Sequence, residues 1–268
     1  MTTFFSFTRR SFVRAAASAT LALVAAPALF AGLAGEARAA NLPEKIRIGT
    51  EGLYAPFSYI EGGTLTGFDV EVVRAAAEKL GIAVEFTTAP WDSLVAGLDA
   101  GRFDAVFNQV VPTEARRTKY AFTKSYMIER GVLVVRTDNA VIASFDNLSG
   151  KRAAGVLTAN WTDLVREKGA RLVPVKEGSL AFQLVASRRA DATVNSEIAF
   201  VDYMKTHRNA PLKAVAHTTE GAQAAGLFRR KDAELAAAFS RAIEELKADG
   251  TLPKLSVKFL GVDATPGI

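Results

Sequence analysis

The pattern of apolar and polar side chains switches repeatedly between the period of a strand and the period of a helix. Residues 45–50 alternate and predict a strand, whereas residues 68–80 place apolar side chains on one face of a helix that Gly81 ends. The next segments are predicted to be strand, helix and strand in turn: 82–87, 91–100 and 104–107. Strands that alternate with helices predict an open α/β sheet.

A second alternating series follows a compact apolar strand predicted over residues 131–135, which has no helix before the next loop. Its strands are predicted at 153–157, 172–175, 192–194 and 212–215, and its helices at 161–168, 180–187 and 198–205. The chain then returns through residues 224–228 to two C-terminal segments with an apolar face, 232–248 and 251–260.

Two α/β series joined by two crossing segments predict two lobes. Residues 40–130 and 225–268 are predicted to form lobe one, and residues 131–224 lobe two, with a hinge segment at each end of lobe two. A protein built in this way can close on a ligand held between its lobes, because the hinge absorbs the rotation while each lobe stays rigid.

Polar and aromatic side chains lie where the predicted strands of lobe one end, namely Glu51, Tyr54, Trp91 and Asn108. Ligands of open α/β sheets bind beyond the carboxyl ends of the strands, so we expect these residues to line a site. Simpler interpretations exist for two of them. Glu51 alone is more typical of a solvated loop carboxylate, and Trp91 could equally be a core residue at a helix start.

Two arginines follow the predicted strand at residues 104–107. Thr113 is predicted to cap a short helix, which places Arg116 and Arg117 in its first turn, where the helix dipole disfavours cations. One guanidinium could therefore serve to grip a carboxylate through two parallel hydrogen bonds. Taken alone, the two residues are more typical of solvated surface arginines.

The N-terminal segment has the features of an export signal. Residues 8–13 resemble the twin-arginine signal, an apolar run follows at 15–33, and residues 37–39 fit a small-x-small cleavage site. We expect residues 1–39 to be a cleaved signal peptide and the mature protein to be periplasmic. A transmembrane anchor is the alternative, and Pro27 within the alanine-rich run argues against it.

Composition narrows the function classes. The chain has 268 residues, of which 49% are hydrophobic and 23% charged, enough for one large domain or two modest ones. Subtracting the four arginines and one glutamate of residues 1–39 from 33 basic and 28 acidic residues reduces the net charge from +5 to +2. This charge gives no support for nucleic-acid binding. The absence of cysteine excludes disulfides and thiol catalysis. We expect no cofactor and a monomer.

Several motifs together resemble the polar amino-acid-binding periplasmic proteins of ABC importers (solute-binding protein family 3). They are Gly49 to Phe57, Leu65 to Val70, Trp91-Asp92, Gly101 to Ala105, Thr113 to Arg117 and Asp249 to Leu252. The resemblance spans residues 45–263, and the triplet at 108–110 is most similar to the cystine-binding branch. It implies a type II periplasmic binding protein fold and delivery of the ligand to a membrane permease with its ATPase.

The resemblance also implies roles for lobe one. Tyr54 and Trp91 would stack on the ligand side chain from opposite sides, and Glu51 would lie near its distal end. Arg116 would clamp the ligand carboxylate, and Arg117 would face solvent.

Further contacts are implied at the ends of strands in both lobes. Asn108 and Gln109 would line the strand end in lobe one. In lobe two, Ala159 and Asn160 would present backbone N–H groups at a helix start to the same carboxylate, although Asn160 could equally be an ordinary helix cap.

Two positions depart from the family pattern. Val111 stands where the family usually has Ser or Thr, and Ser196 stands where it usually has Asp, both of which bind the ligand's α-ammonium. A carboxylate offsets the lost hydration of an ammonium, whereas valine and serine do so poorly. Either other groups hold the ammonium, which is the favoured interpretation, or the ligand is a carboxylate that lacks one.

Two further function classes are compatible with the same fold. Some relatives resemble this family but are dehydratases that act on cyclic prephenate-like acids, for which Glu51 or Glu197 would be candidate general acids. The sequence shows no nucleophile–base pair and no metal cluster, so a binding protein is favoured. A sensory protein that presents its closed form to a receptor is the third class.

Overall fold

The computed structural model describes residues 42–267. The predicted signal peptide, residues 1–39, lies outside the described residues. Among the described residues, no helix combines the length and the apolar character that crossing a membrane requires.

The strands and helices follow each other much as the sequence pattern predicts. The strands are β1 (Lys45–Thr50), β2 (Leu53–Tyr54), β3 (Ser58–Glu61), β4 (Thr64–Thr66), β5 (Ala83–Thr88), β6 (Ala105–Val106), β7 (Tyr120–Phe122), β8 (Met127–Glu129), β9 (Gly131–Arg136), β10 (Arg152–Val156), β11 (Arg171–Val175), β12 (Ala192–Ser196), β13 (Leu212–His217), β14 (Ala222–Ala224) and β15 (Leu227–Arg229). The helices are α1 (Phe68–Leu80), α2 (Trp91–Asp99), α3 (Glu114–Arg117), α4 (Asn160–Glu167), α5 (Gly178–Ala186), α6 (Glu197–Thr206), α7 (Ala233–Ala248) and α8 (Thr251–Leu260), with 3₁₀ turns at Phe145–Leu148 and Arg230–Asp232.

Ten of the fifteen described strands form two five-stranded sheets, one in each lobe, while β2, β3 and β4 form a separate three-stranded sheet. The first has the order β5-β1-β6-β15-β7, with β1 parallel to β5 and β6, and β15 antiparallel to its neighbours. The second has the order β11-β10-β12-β9-β13, in which β10 is parallel to β11 and β12 while β9 is antiparallel to its neighbours. The predicted α/β architecture of two lobes is confirmed.

The two lobes are connected by a short antiparallel ribbon of β8 and β14. The sequence pattern suggested residues 131–135 and 224–228 as crossing strands. In the structure, residues 131–136 belong to the second sheet and residues 227–229 to the first. The crossings are β8 and β14, which lie a few residues before the predicted ones. The prediction was wrong because it took two apolar segments as crossings, whereas these segments are buried strands of the two sheets. The exact lobe boundaries at residues 130 and 225 stay a prediction.

The core of lobe one positions the end of β6, where the candidate site begins. The Phe107 ring lies 5.8 to 6.0 Å from the rings of Tyr126, Phe228 and Phe239 and is almost fully buried. A Cβ at Gly226 would lie 2.2 Å from Phe107 Cζ, so only glycine fits beside this ring. Burial of such a side chain stabilises the fold by about 2–3 kcal/mol. Because Phe107 directly precedes Asn108, its packing holds the backbone at the start of the candidate site.

Candidate functional site

A cavity lies between the carboxyl ends of the strands of the two sheets. Seven of the ten predicted site residues line it, namely Glu51, Tyr54, Trp91, Asn108, Gln109, Ala159 and Asn160. The first five belong to lobe one and the last two to lobe two. The structure therefore brings the predicted residues of both lobes to one cavity, as the sheet-edge argument leads one to expect.

Three predicted residues do not line the cavity: Val111, Arg116 and Ser196. The Val111 carbonyl accepts a hydrogen bond of 2.8 Å from Arg116 Nη1. Ser196 is fully buried at the end of β12, where its hydroxyl caps α6 by accepting from Ala199 N at 3.0 Å. Neither residue therefore lines the cavity, and the weak ammonium site expected from these positions stays a prediction.

Arg116 lies at the edge of the cavity and connects the lobes. Its Nη2 donates to the carbonyl of Thr158 in lobe two at 2.9 Å, and its guanidinium carbon lies 5.2 Å from the Trp91 ring centre. Burial lowers the pKa of the guanidinium, which nevertheless stays charged. Two of its five N–H donors are used by carbonyls, so the clamp on a ligand carboxylate stays a prediction.

The helix that carries Arg116 and Arg117 has a single turn, Glu114–Arg117, capped by Thr113 as predicted. Because the helix has one turn, its first turn is also its last, and the argument from the helix dipole does not apply to so short a helix. Arg117 is exposed and donates to the Pro112 carbonyl at 3.0 Å, away from the cavity. The division into one ligand-binding and one solvated arginine stays a prediction.

Thr158 of lobe two is one point at which the two lobes meet. Its hydroxyl accepts a hydrogen bond from Trp91 Nε1 at 2.9 Å and donates one to Asp92 Oδ1 at 2.5 Å. A separate bond of 3.0 Å runs from the Tyr54 hydroxyl to Asn195 Oδ1 on the other side of the cavity. The cleft is therefore closed by direct hydrogen bonds between lobes.

The cavity wall of lobe one is held by buried carboxyl groups. Glu51 Oε2 accepts from Asn108 Nδ2 at 2.5 Å, and Asn108 Oδ1 accepts from Glu51 N at 2.8 Å. Burial raises the pKa of Glu51 to about 7, and the charges of Glu177 and Asp92 add to the effect. A carboxyl group with this pKa ionises readily when a cation is bound beside it.

Asp69 holds Gln109 in place from behind the cavity. It accepts hydrogen bonds from Gln109 N at 2.9 Å and from Gln109 Nε2 at 2.6 Å, and burial raises its pKa to about 7. These bonds stabilise Gln109 in a left-handed conformation with φ of 53°. Within residues 42–267, Gln109 Oε1 is buried without a hydrogen-bond partner, which leaves one acceptor for a donor on a ligand.

Sequence reasoning missed several lining residues of lobe two, including Trp161, Thr162, Gly178, Val194 and Asn195. Asn195 is adjacent to the predicted Ser196, and the strand pattern alone could not decide which of the two faces the cleft. Gly178 begins α5, and a Cβ there would lie 3.2 Å from Asn195 Nδ2 and from Tyr54 Cε2. Glycine at a helix start carries no sequence signal for such a close approach.

The described residues show no group of three or more His, Asp or Glu side chains that could bind a metal ion. The site therefore offers hydrogen-bond acceptors, aromatic faces and one guanidinium at its edge. These groups are suited to binding a small polar molecule.

Comparison with known proteins assigns the family. Residues 46–262 match the family of bacterial extracellular solute-binding proteins, family 3. The chain is 38% identical to a probable amino-acid ABC transporter-binding protein of Haemophilus influenzae, over 92% of this chain and 97% of that one. It is 39% identical to the L-cystine-binding protein TcyA of Bacillus subtilis, over 82% of each chain.

Solved structures agree with this assignment. The L-cystine solute receptor of Neisseria gonorrhoeae in its unliganded open conformation is 43% identical with a TM-score of 0.57, over 83% of this chain and 95% of that one. An ancestral arginine-binding protein bound to arginine is 31% identical with a TM-score of 0.76, over 81% and 98%. The predicted type II fold and the similarity to the cystine-binding branch are confirmed.

The two relatives are named as an amino-acid ABC transporter-binding protein and an L-cystine-binding protein, which also confirms the prediction of a binding protein rather than an enzyme. The match covers nearly all the described residues, and the cavity lies between the lobes where the fold closes. The chain belongs to the bacterial extracellular solute-binding proteins, family 3.

Proposed function

We propose that this protein is the periplasmic substrate-binding subunit of an ABC importer. Its ligand is an L-amino acid, such as L-cystine, that binds between the two lobes. The observation that carries the proposal is the cavity lined by side chains of both lobes and closed by hydrogen bonds across it. Such a site binds its ligand most tightly in the closed form, so binding shifts the population from open to closed.

The lining supports an amino acid as the ligand class. Tyr54 and Trp91 provide aromatic faces from lobe one, which suit apolar, cationic or sulfur-containing side chains. The start of α4 at Asn160 provides a backbone N–H group for a carboxylate, whereas the N–H of Ala159 already donates to the Val156 carbonyl at 3.1 Å. Arg116 donates to the carbonyl of the adjacent Thr158. Glu51 provides an acidic group for a cation.

The state of the cleft supports delivery to a permease. The chain superposes better on the arginine-bound structure than on the open cystine receptor, although it is more identical in sequence to the receptor. A cleft that is closed in this chain and open in that receptor would account for this order of TM-scores. The closed form offers a surface made of both lobes that the open form lacks, and a permease with its ATPase can recognise that surface.

A thermal-shift screen tests the proposal. The chain is unfolded and refolded to remove any co-purified ligand, and the melting temperature is measured with L-cystine, with the common L-amino acids and with matched carboxylates that lack the ammonium group. A ligand that binds only the folded state raises the melting temperature. We expect the largest shift with L-cystine or another L-amino acid. Shifts confined to the carboxylates without ammonium would contradict the proposal.

A further inference from the structure

A second pocket, the hinge pocket, lies at the crossing ribbon and shares no lining residue with the ligand cavity. Its volume is about 560 Å³, within the range of roughly 300–1,000 Å³ that is typical of small-molecule sites. Its lining comes from the crossing strand β8, from α6 of lobe two, and from the end of α8 with the chain that follows it. The apolar lining residues are Ile128, Ile198, Val201, Leu260, Val262 and Ala264.

The C-terminal chain is fixed against the hinge strand where it lines this pocket. Ile128 N on β8 donates a hydrogen bond of 2.8 Å to the Ala264 carbonyl. The hydroxyl of Ser256, fully buried on α8, donates to the Val262 carbonyl and accepts from Ala264 N, both at 2.8 Å. The hinge pocket is therefore built from hydrogen-bonded segments.

Part of the apolar lining is exposed. Val201 on α6 is 50% exposed and Val262 is 52% exposed, and both line the hinge pocket. Covering apolar surface contributes about 25 cal/mol for each Å² that is removed from water. The rim of the pocket therefore suits the apolar part of a ligand.

A nearly buried carboxyl group lies at the inner end of the pocket. Glu129 lines the pocket and is 9% exposed, and its Oε2 accepts a hydrogen bond from the Ser196 hydroxyl. Within residues 42–267, Glu129 Oε1 has no hydrogen-bond partner, and it is not among the unpartnered atoms that are sealed from solvent. Because the hinge pocket is the open space that Glu129 lines, Oε1 is an acceptor available to a molecule bound there.

The hinge pocket has an excess of negative charge. Glu197 and Asp263 also line it, and among its described lining residues Arg130 is the only basic side chain. Arg130 and His217 both pair with Glu197, at 3.3 and 3.1 Å. Within residues 42–267, no basic side chain forms an ion pair with Glu129 or Asp263. A buried carboxylate without a cation is costly, and a cation supplied by a ligand would offset that cost.

The pKa of Glu129 agrees with this excess of negative charge. Burial raises the pKa to about 8, and the charges of Asp69 on α1 and Glu197 on α6 act in the same direction, while the hydrogen bond from Ser196 opposes them. A cation beside the carboxyl group would favour its ionised form.

The end of β12 separates the hinge pocket from the ligand cavity. Asn195 lines the ligand cavity, and Glu197 lines the hinge pocket. Ser196 lies between them in the chain and is fully buried. A molecule in the hinge pocket therefore occupies a different site from the ligand of the cleft.

We propose that the hinge pocket is a second binding site, which takes a primary amine with an apolar chain. The ammonium group binds Glu129 at the inner end of the pocket, and the chain lies along the apolar residues toward Val201 and Val262 at the rim. The carboxyl groups of the pocket disfavour an anion of the same shape.

Calorimetric titration of the refolded chain with hexylamine, 1-hexanol and hexanoate tests this proposal. The three compounds share an apolar chain and differ in the charge of the end group. We expect hexylamine to bind at least about ten-fold more tightly than 1-hexanol, and hexanoate not to bind, because only the ammonium forms a charge-assisted hydrogen bond with a carboxylate. Absence of hexylamine binding, or hexanoate binding as tight as that of hexylamine, would overturn the proposal.

Glu129→Gln keeps the shape of the side chain and removes its charge. We expect this variant to bind hexylamine about ten- to hundred-fold more weakly than wild type and to bind 1-hexanol equally well. Equal loss for both compounds would point to altered packing and would contradict recognition of the ammonium by Glu129.

Two exposed valines provide a matched pair that does not disturb the buried acid. Val201→Lys places an alkylammonium side chain at the rim of the hinge pocket, and we expect hexylamine binding to fall by at least about ten-fold. Val257 on α8 is 54% exposed and does not line the pocket, so Val257→Lys should change the affinity by less than about two-fold.

This pair decides the matter even if Glu129→Gln does not fold, because both valines are exposed. Hexylamine that binds Val201→Lys and Val257→Lys as tightly as wild type occupies another part of the protein. That result would overturn the inference about the hinge pocket and would leave the proposed function of the cleft unaffected.

Discussion

The indole Nε1 of Trp91 donates a hydrogen bond of 2.9 Å to Thr158 Oγ1, and this bond joins lobe one to lobe two. The Thr158 carbonyl also accepts from Arg116 Nη2 at 2.9 Å. One loop of lobe two is thus held by two side chains of lobe one. Since these bonds form only when the lobes meet, the stability of the closed form depends on them.

Trp91→Phe keeps an aromatic face in the cavity and removes the indole donor. We predict about five-fold weaker binding of L-cystine, since one hydrogen bond contributes about 1 kcal/mol, and a larger radius of gyration in solution. Calorimetry and small-angle scattering measure the two effects. Tyr120→Phe is the control, because it removes a bond to Asp99 of 2.9 Å within lobe one. Equal effects of both variants would argue against a role of Trp91 in closure.

Arg116→Ala removes the guanidinium that lies between Trp91 and Thr158. We predict that binding of L-cystine falls by about a hundred-fold or more, because a contact across the cleft and the predicted carboxylate clamp are lost together. Arg117→Ala should change affinity by less than about two-fold, since Arg117 is exposed and its guanidinium contacts the nearby Pro112 carbonyl and the Phe122 ring, which do not line the cavity. Mild, similar losses in both variants would show that the clamp lies elsewhere.

Gly178→Ala tests the close approach of the α5 start to the cavity. The added methyl would lie 3.2 Å from Tyr54 Cε2 and from Asn195 Nδ2, so both side chains must shift. Alanine also reduces the entropy of the unfolded chain, so the melting temperature should stay level or rise while binding weakens about five-fold. Thermal unfolding and calorimetry measure these two quantities, with Ser179→Ala as the control. A loss of stability without a loss of affinity would contradict this prediction.

The buried acids predict how stability depends on pH. Burial raises the pKa of Glu51 from 4.5 to about 7, of Asp69 from 3.8 to about 7 and of Glu129 from 4.5 to about 8. The folded state therefore binds more protons than the unfolded state between pH 5 and 8, and the free energy of unfolding should fall as pH rises through this window. Exposed acids whose pKa is lowered, such as Glu85, change the free energy of unfolding only below their ordinary pKa, which is outside this window.

Glu51→Gln provides the check on this pH dependence. We expect its melting temperature to match wild type near pH 5 and to exceed wild type near pH 8, because the neutral amide avoids the cost of a buried charge. Glu85→Gln, at an exposed position paired with Lys45, should follow the wild-type slope. A Glu51→Gln protein that is less stable than wild type at pH 8 would show that the Glu51 charge is compensated in the folded state.

Much of the fold was predictable because the apolar periods are long and regular. Helix α1 begins at Phe68 and ends before Gly81 as the pattern predicts, with Gly81 in the left-handed conformation. The crossing ribbon was harder to predict. Residues 127–129 and 222–224 are short strands whose pairing depends on distant partners, and a periodic pattern carries no information on such pairing.

The site was predictable at strand ends and less so elsewhere. Glu51, Trp91 and Asn108 line the cavity because each follows a strand of the first sheet at the same edge. The direction of Ser196 was not predictable, since it depends on the cap of α6 and on a partner 67 residues away, Glu129. Asp69 likewise has the position of an ordinary helix-start acid in sequence, and its role in holding Gln109 appears only in three dimensions.

Calorimetric titration of the refolded chain with L-cystine and with 3,3′-dithiodipropionate tests the central claim most directly. The account predicts that L-cystine binds at least about a hundred-fold more tightly, because the acids and acceptors of the cleft favour a bound ammonium. Equal affinity for the two compounds, or tighter binding of the compound without ammonium groups, would contradict the account and move this protein out of the amino-acid-binding class.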